Sequence, residues 1–433
     1  MSISWPIISS HVMTTMGPII DMVWMGKLGS ASMAGVAVAS MLVSLLDAFK
    51  MGLDMGTRAI IANFVGAGDY RGANHAALQG YVVTIGFAAI VGTTGALLAV
   101  PILRMMGLSP EVVAQGGPYL RIQFIGILTN GILWQNSGTM QFSGDTINPM
   151  KIAFAYRLLH IVLSPFMIFG WWIFPRLGTS GAAYTAIISA CFGAILGFWF
   201  LFGGHTRLKL SFKDFRLDGK MIWRIVKIGV PASITGIERS LGQVMLTWFI
   251  VPFGTIATAS HAVILQITQF LNITGSSLGQ GAAVLAGQAL GAKQPQRAER
   301  SGWLAVGLFT AFLVISTAAL WFWGTHIIGI FNNEPDVLAT GVAFLRIQIA
   351  AYLVSGCVLV LQQCLNGVGD TLVVMAVTLL GMLAVQLPLA FLLSRHTGLG
   401  VYGTYWAIAI GTMVMAALYG VYFRIGLWKR KKL

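Results

Sequence analysis

Charge is scarce in this sequence. Asp, Glu, Lys and Arg make up 9% of its 433 residues, 57% are hydrophobic and the mean hydropathy is +0.80. Such a composition excludes an ordinary soluble globular domain. Cysteine is almost absent: Cys191, Cys357 and Cys364 all fall in apolar stretches, so there is no framework of paired disulfides. No CxxC, HExxH or P-loop motif occurs. The GxSxG match at 275–279 lies within an apolar stretch, not at the strand-to-helix elbow that a serine nucleophile requires. It reads as small residues that let helices approach. Sustained apolar/polar alternation is also missing, which excludes a transmembrane barrel.

What the chain has instead is apolar runs long enough to cross a bilayer as helices, about 20 residues each. They fall near 5–25, 33–57, 77–100, 117–140, 150–173 and 180–203, then near 224–250, 258–286, 302–324, 342–364, 373–394 and 402–424. The first is too long for a removable signal peptide and lacks a small-residue cleavage site, so it is expected to stay as an anchor.

The second six repeat the first six. At a shift of 225 positions, Pro6, Gly29, Ala34, Gly56, Gly66, Pro110, Gly144, Asp145 and Thr146 recur as Pro231, Gly254, Ala259, Gly281, Gly291, Pro335, Gly369, Asp370 and Thr371. Leu120-Arg121-Ile122-Gln123 recurs intact as Leu345-Arg346-Ile347-Gln348. Further on the register drifts slightly, with Gly181 against Gly403. Two unrelated apolar segments would match Leu to Ile, but would not hold Gly, Pro, Asp and Arg in register. An internally duplicated membrane protein points to a transporter. The expected fold is all-α: a polytopic membrane protein of about twelve helices in two pseudo-twofold related six-helix lobes. The N-lobe covers 1–203, a cytoplasmic linker 204–220 and the C-lobe 221–433.

The net charge of +14 invites a nucleic-acid reading, which its distribution defeats. One set of alternate connections collects 19 Lys and Arg residues, among them Arg58, Arg157 and the tail 429–432; the other collects 6. The positive-inside bias makes the richer face cytoplasmic, with both termini there. The excess is a topology signal with some attraction to anionic lipid, and no nucleic-acid partner is expected. The polar stretch 204–220, which alternates charge with Leu and Phe, is expected to lie along the cytoplasmic surface.

Ionisable residues inside the apolar runs are functional candidates, because a charge at mid-bilayer costs about 2.5–3.5 kcal/mol even on lenient scales. Asp47, Lys50 and Asp54 stack on one helical face and can pair. They leave one negative charge over, for which Arg239 is a candidate partner; the cluster is either a structural ion group or part of a substrate cavity. Asp145 and Asp370 are repeat-equivalent, each in a Gly-Asp-Thr turn, which suits capping. Asp21 and Glu238 break the symmetry: Asp21 aligns with Leu246 and Glu238 with Met13. What both halves share cannot explain them.

The pattern Pro6, Asp21, 26–29 (Gly-Lys-Leu-Gly), Ala34, 66–69 (Gly-Ala-Gly-Asp) and Ala73 resembles the first repeat of the multidrug and toxic compound extrusion (MATE) family. So do 229–231 (Gly-Val-Pro), 252–254 (Pro-Phe-Gly), 259–261 (Ala-Ser-His), Gly287, Gly291 and Ala298 for its second repeat. The resemblance implies an antiporter with a central cavity that expels amphipathic, often cationic, drug-like small molecules against an inward flow of H+ or Na+. It implies no other cofactor, no enzymatic activity, and a multi-pass location in a prokaryotic inner membrane, here expected as a monomer. By the same resemblance Asp21 is the coupling carboxylate of the first helix, and Glu238 and Asp370 match carboxylates that one branch uses. His160 and Ser164 stand where the archaeal-type site has Asn and Asp, and Thr185 stands one place early. Loss of oxygen donors weakens a sodium site. A His beside a buried Asp suits proton exchange, because imidazole titrates near neutral pH. The cation-coupling set is therefore Asp21, His160, Glu238 and Asp370, and the substrate-cavity set Asp47, Lys50, Asp54 and Arg239. A lipid-linked precursor flippase of the same superfamily is the alternative; it calls for more cavity cations than Lys50 and Arg239.

Overall fold

The computed structural model describes residues 4–172, 174–213 and 215–431; Asp214 of the polar stretch and Lys432 of the basic tail lie outside the described residues. Among the described residues twelve α-helices account for the fold, one on each expected apolar run. They are α1 (Ser4–Gly26), α2 (Ser30–Gly66), α3 (Tyr70–Met105), α4 (Pro110–Phe142), α5 (Ile147–Phe169), α6 (Thr179–Phe202), α7 (Gly219–Ile250), α8 (Thr255–Gly291), α9 (Pro295–Gly329), α10 (Pro335–Gly367), α11 (Thr371–Arg395) and α12 (Val401–Ile425). Nine helices among the described residues are long and apolar enough to cross a membrane. Several helices outrun their apolar cores because polar residues start them. Asp69 caps α3 by accepting from the Gly72 amide at 2.8 Å, and Ser109 with Pro110 opens α4.

The chain divides into two compact units, 1–229 and 230–433, and the division falls inside α7. The start of α7 packs tightly on α2: a Cβ on Gly56 would lie 2.2 Å from the Ile225 carbonyl oxygen, and one on Gly229 would lie 2.7 Å from Leu53 Cα. In the first unit α2 packs on α4, α4 on α6, α5 on α6 and α1 on α5. In the second, α8 packs on α10, α10 on α12 and α11 on α12, which repeats the first unit's pairings of α2 with α4, α4 with α6 and α5 with α6.

The duplication extends to backbone geometry. Gly178 and Gly400 precede α6 and α12 with φ/ψ of 57/−131° and 54/−132°, a region open to glycine alone. Three residues on, Gly181 and Gly403 sit where α6 crosses α5 and α12 crosses α11. A Cβ on either would lie 2.3 Å from a backbone carbonyl oxygen, that of Met167 or Leu393. Backbone cannot give way as a side chain does. Gly181→Ala and Gly403→Ala are therefore each expected to destabilise the protein by about 1–3 kcal/mol, read as a lowered Tm in detergent. An unchanged Tm would mean that the helices part freely there.

The polar stretch after α6 is an extended strap, not a helix, because its alternation has the period of extended chain. Leu208 and Leu210 are buried while Arg207 and Lys209 are exposed. Asn74 of α3 donates to the Ser211 carbonyl (3.0 Å) and accepts from the Ser211 amide (2.9 Å). Gln79 donates to the Arg216 carbonyl at 2.7 Å. Asp218 ends the strap by accepting from the Lys220 and Met221 amides, and it pairs with His75 at 3.3 Å. The Met221 amide and the His75 contact hold its carboxyl below the usual range.

Candidate functional site

Asp21 lies on α1 and is buried. Its partners come from α5, where His160 and Ser164 stand four residues apart and so share a helical face. His160 Nε2 lies 3.0 Å from Asp21 Oδ1, and Ser164 Oγ donates to the same oxygen at 3.2 Å. His160 is 3% exposed and Ser164 fully buried. The arrangement is a carboxylate and an imidazole in direct contact, shielded from solvent and able to share one proton. The buried His261 differs: its ring nitrogens contact the Tyr405 hydroxyl (2.7 Å) and the Thr247 hydroxyl (3.2 Å), so it faces no carboxylate there. Thr185, on α6, donates to the Gly181 carbonyl of its own helix at 2.8 Å.

The other candidates fall into separate places. Lys50 and Asp54 form a buried ion pair at 2.5 Å, 5% and 4% exposed. Gly131 makes room for it, since a Cβ there would lie 2.7 Å from Lys50 Cε. Asp47, on the same helix, is exposed and takes no part in the pair. In the second unit Arg239 is exposed and donates to Gln362 Oε1 at 3.2 Å. Glu238 is half-buried and makes no ion pair among the described residues. Asp370, in the turn before α11, accepts from the Tyr422 hydroxyl at 2.6 Å and is ion-paired with Lys431 of the tail. Its repeat counterpart Asp145 instead caps α5, accepting from the Asn148 amide (3.2 Å) and side chain (2.7 Å).

Two basic residues counted above toward the cytoplasmic face are interior. Arg58 is 4% exposed, donates to the Trp134 carbonyl at 3.4 Å and fills the space beside Gly138. Arg157 is 7% exposed and reaches from α5 to α1, where it donates to the Thr14 carbonyl at 2.9 Å. Counting charges by position in the chain missed both. The available signal for Arg157 was its spacing of three from His160 on one helix.

The MatE family model matches residues 6–166 and 231–392, two matches that begin 225 positions apart, the shift at which the sequence repeats. The chain is similar to the probable multidrug resistance protein YoeA of Bacillus subtilis, at 25% identity over 99% of this chain and 93% of that one. It is similar also to the probable multidrug resistance protein NorM of Thermotoga maritima, at 22% identity over 100% and 93%. In fold it is similar to the outward-facing structure of a multidrug resistance MATE family transporter of the MOP superfamily. The TM-score is 0.90, at 21% identity over 98% of this chain and 94% of that one.

Proposed function

Because the chain belongs to the MatE family of membrane transporters, we propose that it is a secondary antiporter that exports amphipathic, cationic small molecules against inward-flowing protons by alternating access. The observation that carries the coupling is the buried contact of Asp21 with His160 and Ser164. Unprotonated, the Asp21–His160 pair bears one negative charge; with one proton bound it is neutral. A buried charge left without a partner is costly. A proton and a cationic substrate both neutralise it, and both cannot do so at once. Mutual exclusion of this kind is what couples the two flows, since each ligand weakens the affinity for the other by the same factor. The site has one carboxylate and one hydroxyl oxygen beside an imidazole nitrogen, a donor set that suits a proton better than a hard cation. Both termini are placed on the cytoplasmic side, following the basic residues.

Proteoliposomes with an imposed pH or Na+ gradient and a panel of fluorescent cations test this reading. A pH gradient should drive uptake or release of at least one cation with Na+ absent. Transport that requires Na+ and ignores pH would overturn proton coupling.

In the second unit Glu238 is a half-buried carboxylate without an ion-pair partner among the described residues. Asp370 is held by Lys431 and Tyr422, which supports a role in anchoring the tail. Glu238→Gln removes a negative charge that could attract a cation or take up a proton, and is expected to reduce export by roughly tenfold, the equivalent of about 1.4 kcal/mol, with Tm unchanged. Wild-type transport by that variant would leave Glu238 as a packing residue.

A further inference from the structure

Residue 18 of α1 is proline, which has no amide hydrogen. In an α-helix the amide of residue 18 would donate to the carbonyl of Thr14, four residues back. That carbonyl therefore lacks the amide donor four residues on, inside a chain segment where a bare carbonyl is expensive. Its partner comes from another helix: Arg157 Nη2 of α5 donates to the Thr14 carbonyl oxygen at 2.9 Å. Gly17 provides the space. A Cβ at that position would lie 1.7 Å from Arg157 Nη1, so no other residue type leaves room for the guanidinium as it stands. The neighbouring Tyr156 holds the same α1 residue, its hydroxyl 3.4 Å from the Thr14 hydroxyl, and its ring lies under the guanidinium, 5.1 Å from Arg157 Cζ. Among the described residues Arg157 Nε has no acceptor, and the Thr14 carbonyl anchors the guanidinium.

We propose that Arg157 is a positioning residue that replaces the hydrogen bond lost at Pro18 and thereby fixes α1 on α5 in the register that sets Asp21 against His160. The spacing carries the assignment. Arg157 precedes His160 by three residues on α5, and Thr14 precedes Asp21 by seven, two turns, on α1. The latch and the Asp21–His160 contact thus cross the same helix pair. No ion pair joins Arg157 to Asp21 among the described residues, so the guanidinium acts on the carboxylate through helix position and not as its counter-ion.

The functional consequence rests on the coupling role proposed for Asp21, but the latch has its own readout. Hydrogen exchange of α1 in purified full-length protein reports it without any transport. Arg157→Met should speed exchange of the amides around Thr14–Asp21 by roughly tenfold to a hundredfold, the value of one charge-assisted hydrogen bond. Proton-driven transport should be largely lost. Arg157→Lys, which keeps a donor, should restore most of both. Pro18→Ala in the Arg157→Met background supplies the missing amide and should also restore protection. Gly17→Ala displaces the guanidinium without removing it. It should match Arg157→Met and add nothing to it in the double variant, which keeps the test open even where Arg157→Met folds poorly. Unchanged exchange in Arg157→Met and Gly17→Ala, or additive effects of the two, would overturn the proposal, as would failure of Pro18→Ala to rescue. If the exchange results hold while Asp21→Asn transports normally, the coupling reading fails and the latch stands.

Discussion

Replacing Asp21 with asparagine is expected to reduce ion-driven export to the background leak while leaving the fold intact. Asparagine has the same shape and its carbonyl oxygen can still face His160 and Ser164, so the contact between α1 and α5 survives. What is lost is the charge-assisted character of the two bonds, a cost of about 1 kcal/mol, which shows as a small drop in Tm. Coupling fares differently. Asparagine neither takes up a proton nor offers a negative charge to a cation, so the exclusion between the two disappears. Transport against a gradient should vanish while downhill binding of substrate weakens. Full proton-driven export by Asp21→Asn in proteoliposomes would remove this carboxylate from the mechanism.

Replacing His160 with asparagine is expected to change which ion drives export. Imidazole has a basic nitrogen that can share a proton with Asp21; a carboxamide has none. The variant keeps Asp21 and Ser164 and adds a carbonyl oxygen, so the donor set turns toward the oxygen ligands that hard cations prefer. Acceleration of export by an imposed pH gradient should fall, and Na+ should begin to stimulate export. Rates measured across pH gradients with and without Na+ check this. An unaltered response to the pH gradient would mean that His160 only supports Asp21 sterically.

The architecture was legible because hydropathy and duplication are properties of position along the chain. Each apolar run holds a helix, and Gly178 with Gly400 repeat one backbone conformation as well as one residue type. Asp21 was legible because it breaks that duplication inside an apolar run, and His160 through the family resemblance. The interior arginines were not. Arg58 and Arg157 were counted with the cytoplasmic charge because a basic residue near a helix end and one buried against a neighbour look alike in sequence. The strap after α6 was legible as surface polarity, but its attachment needed Asn74, Gln79 and His75, which lie about 140 residues upstream.

By itself, then, the sequence determined that this is a duplicated, all-helical membrane protein with a lone carboxylate in its first helix. Composition, periodicity and repeat register are enough for that, since each is read along one chain. Only the tertiary structure decided what that carboxylate meets. Asp21 and His160 are 139 residues apart and Thr14 and Arg157 are 143 apart, on helices whose facing sides no local spacing records. Helix periodicity says which residues share a face. Which face meets which neighbour depends on where glycines permit approach and where a proline leaves a carbonyl without its partner, and those are properties of two helices at once.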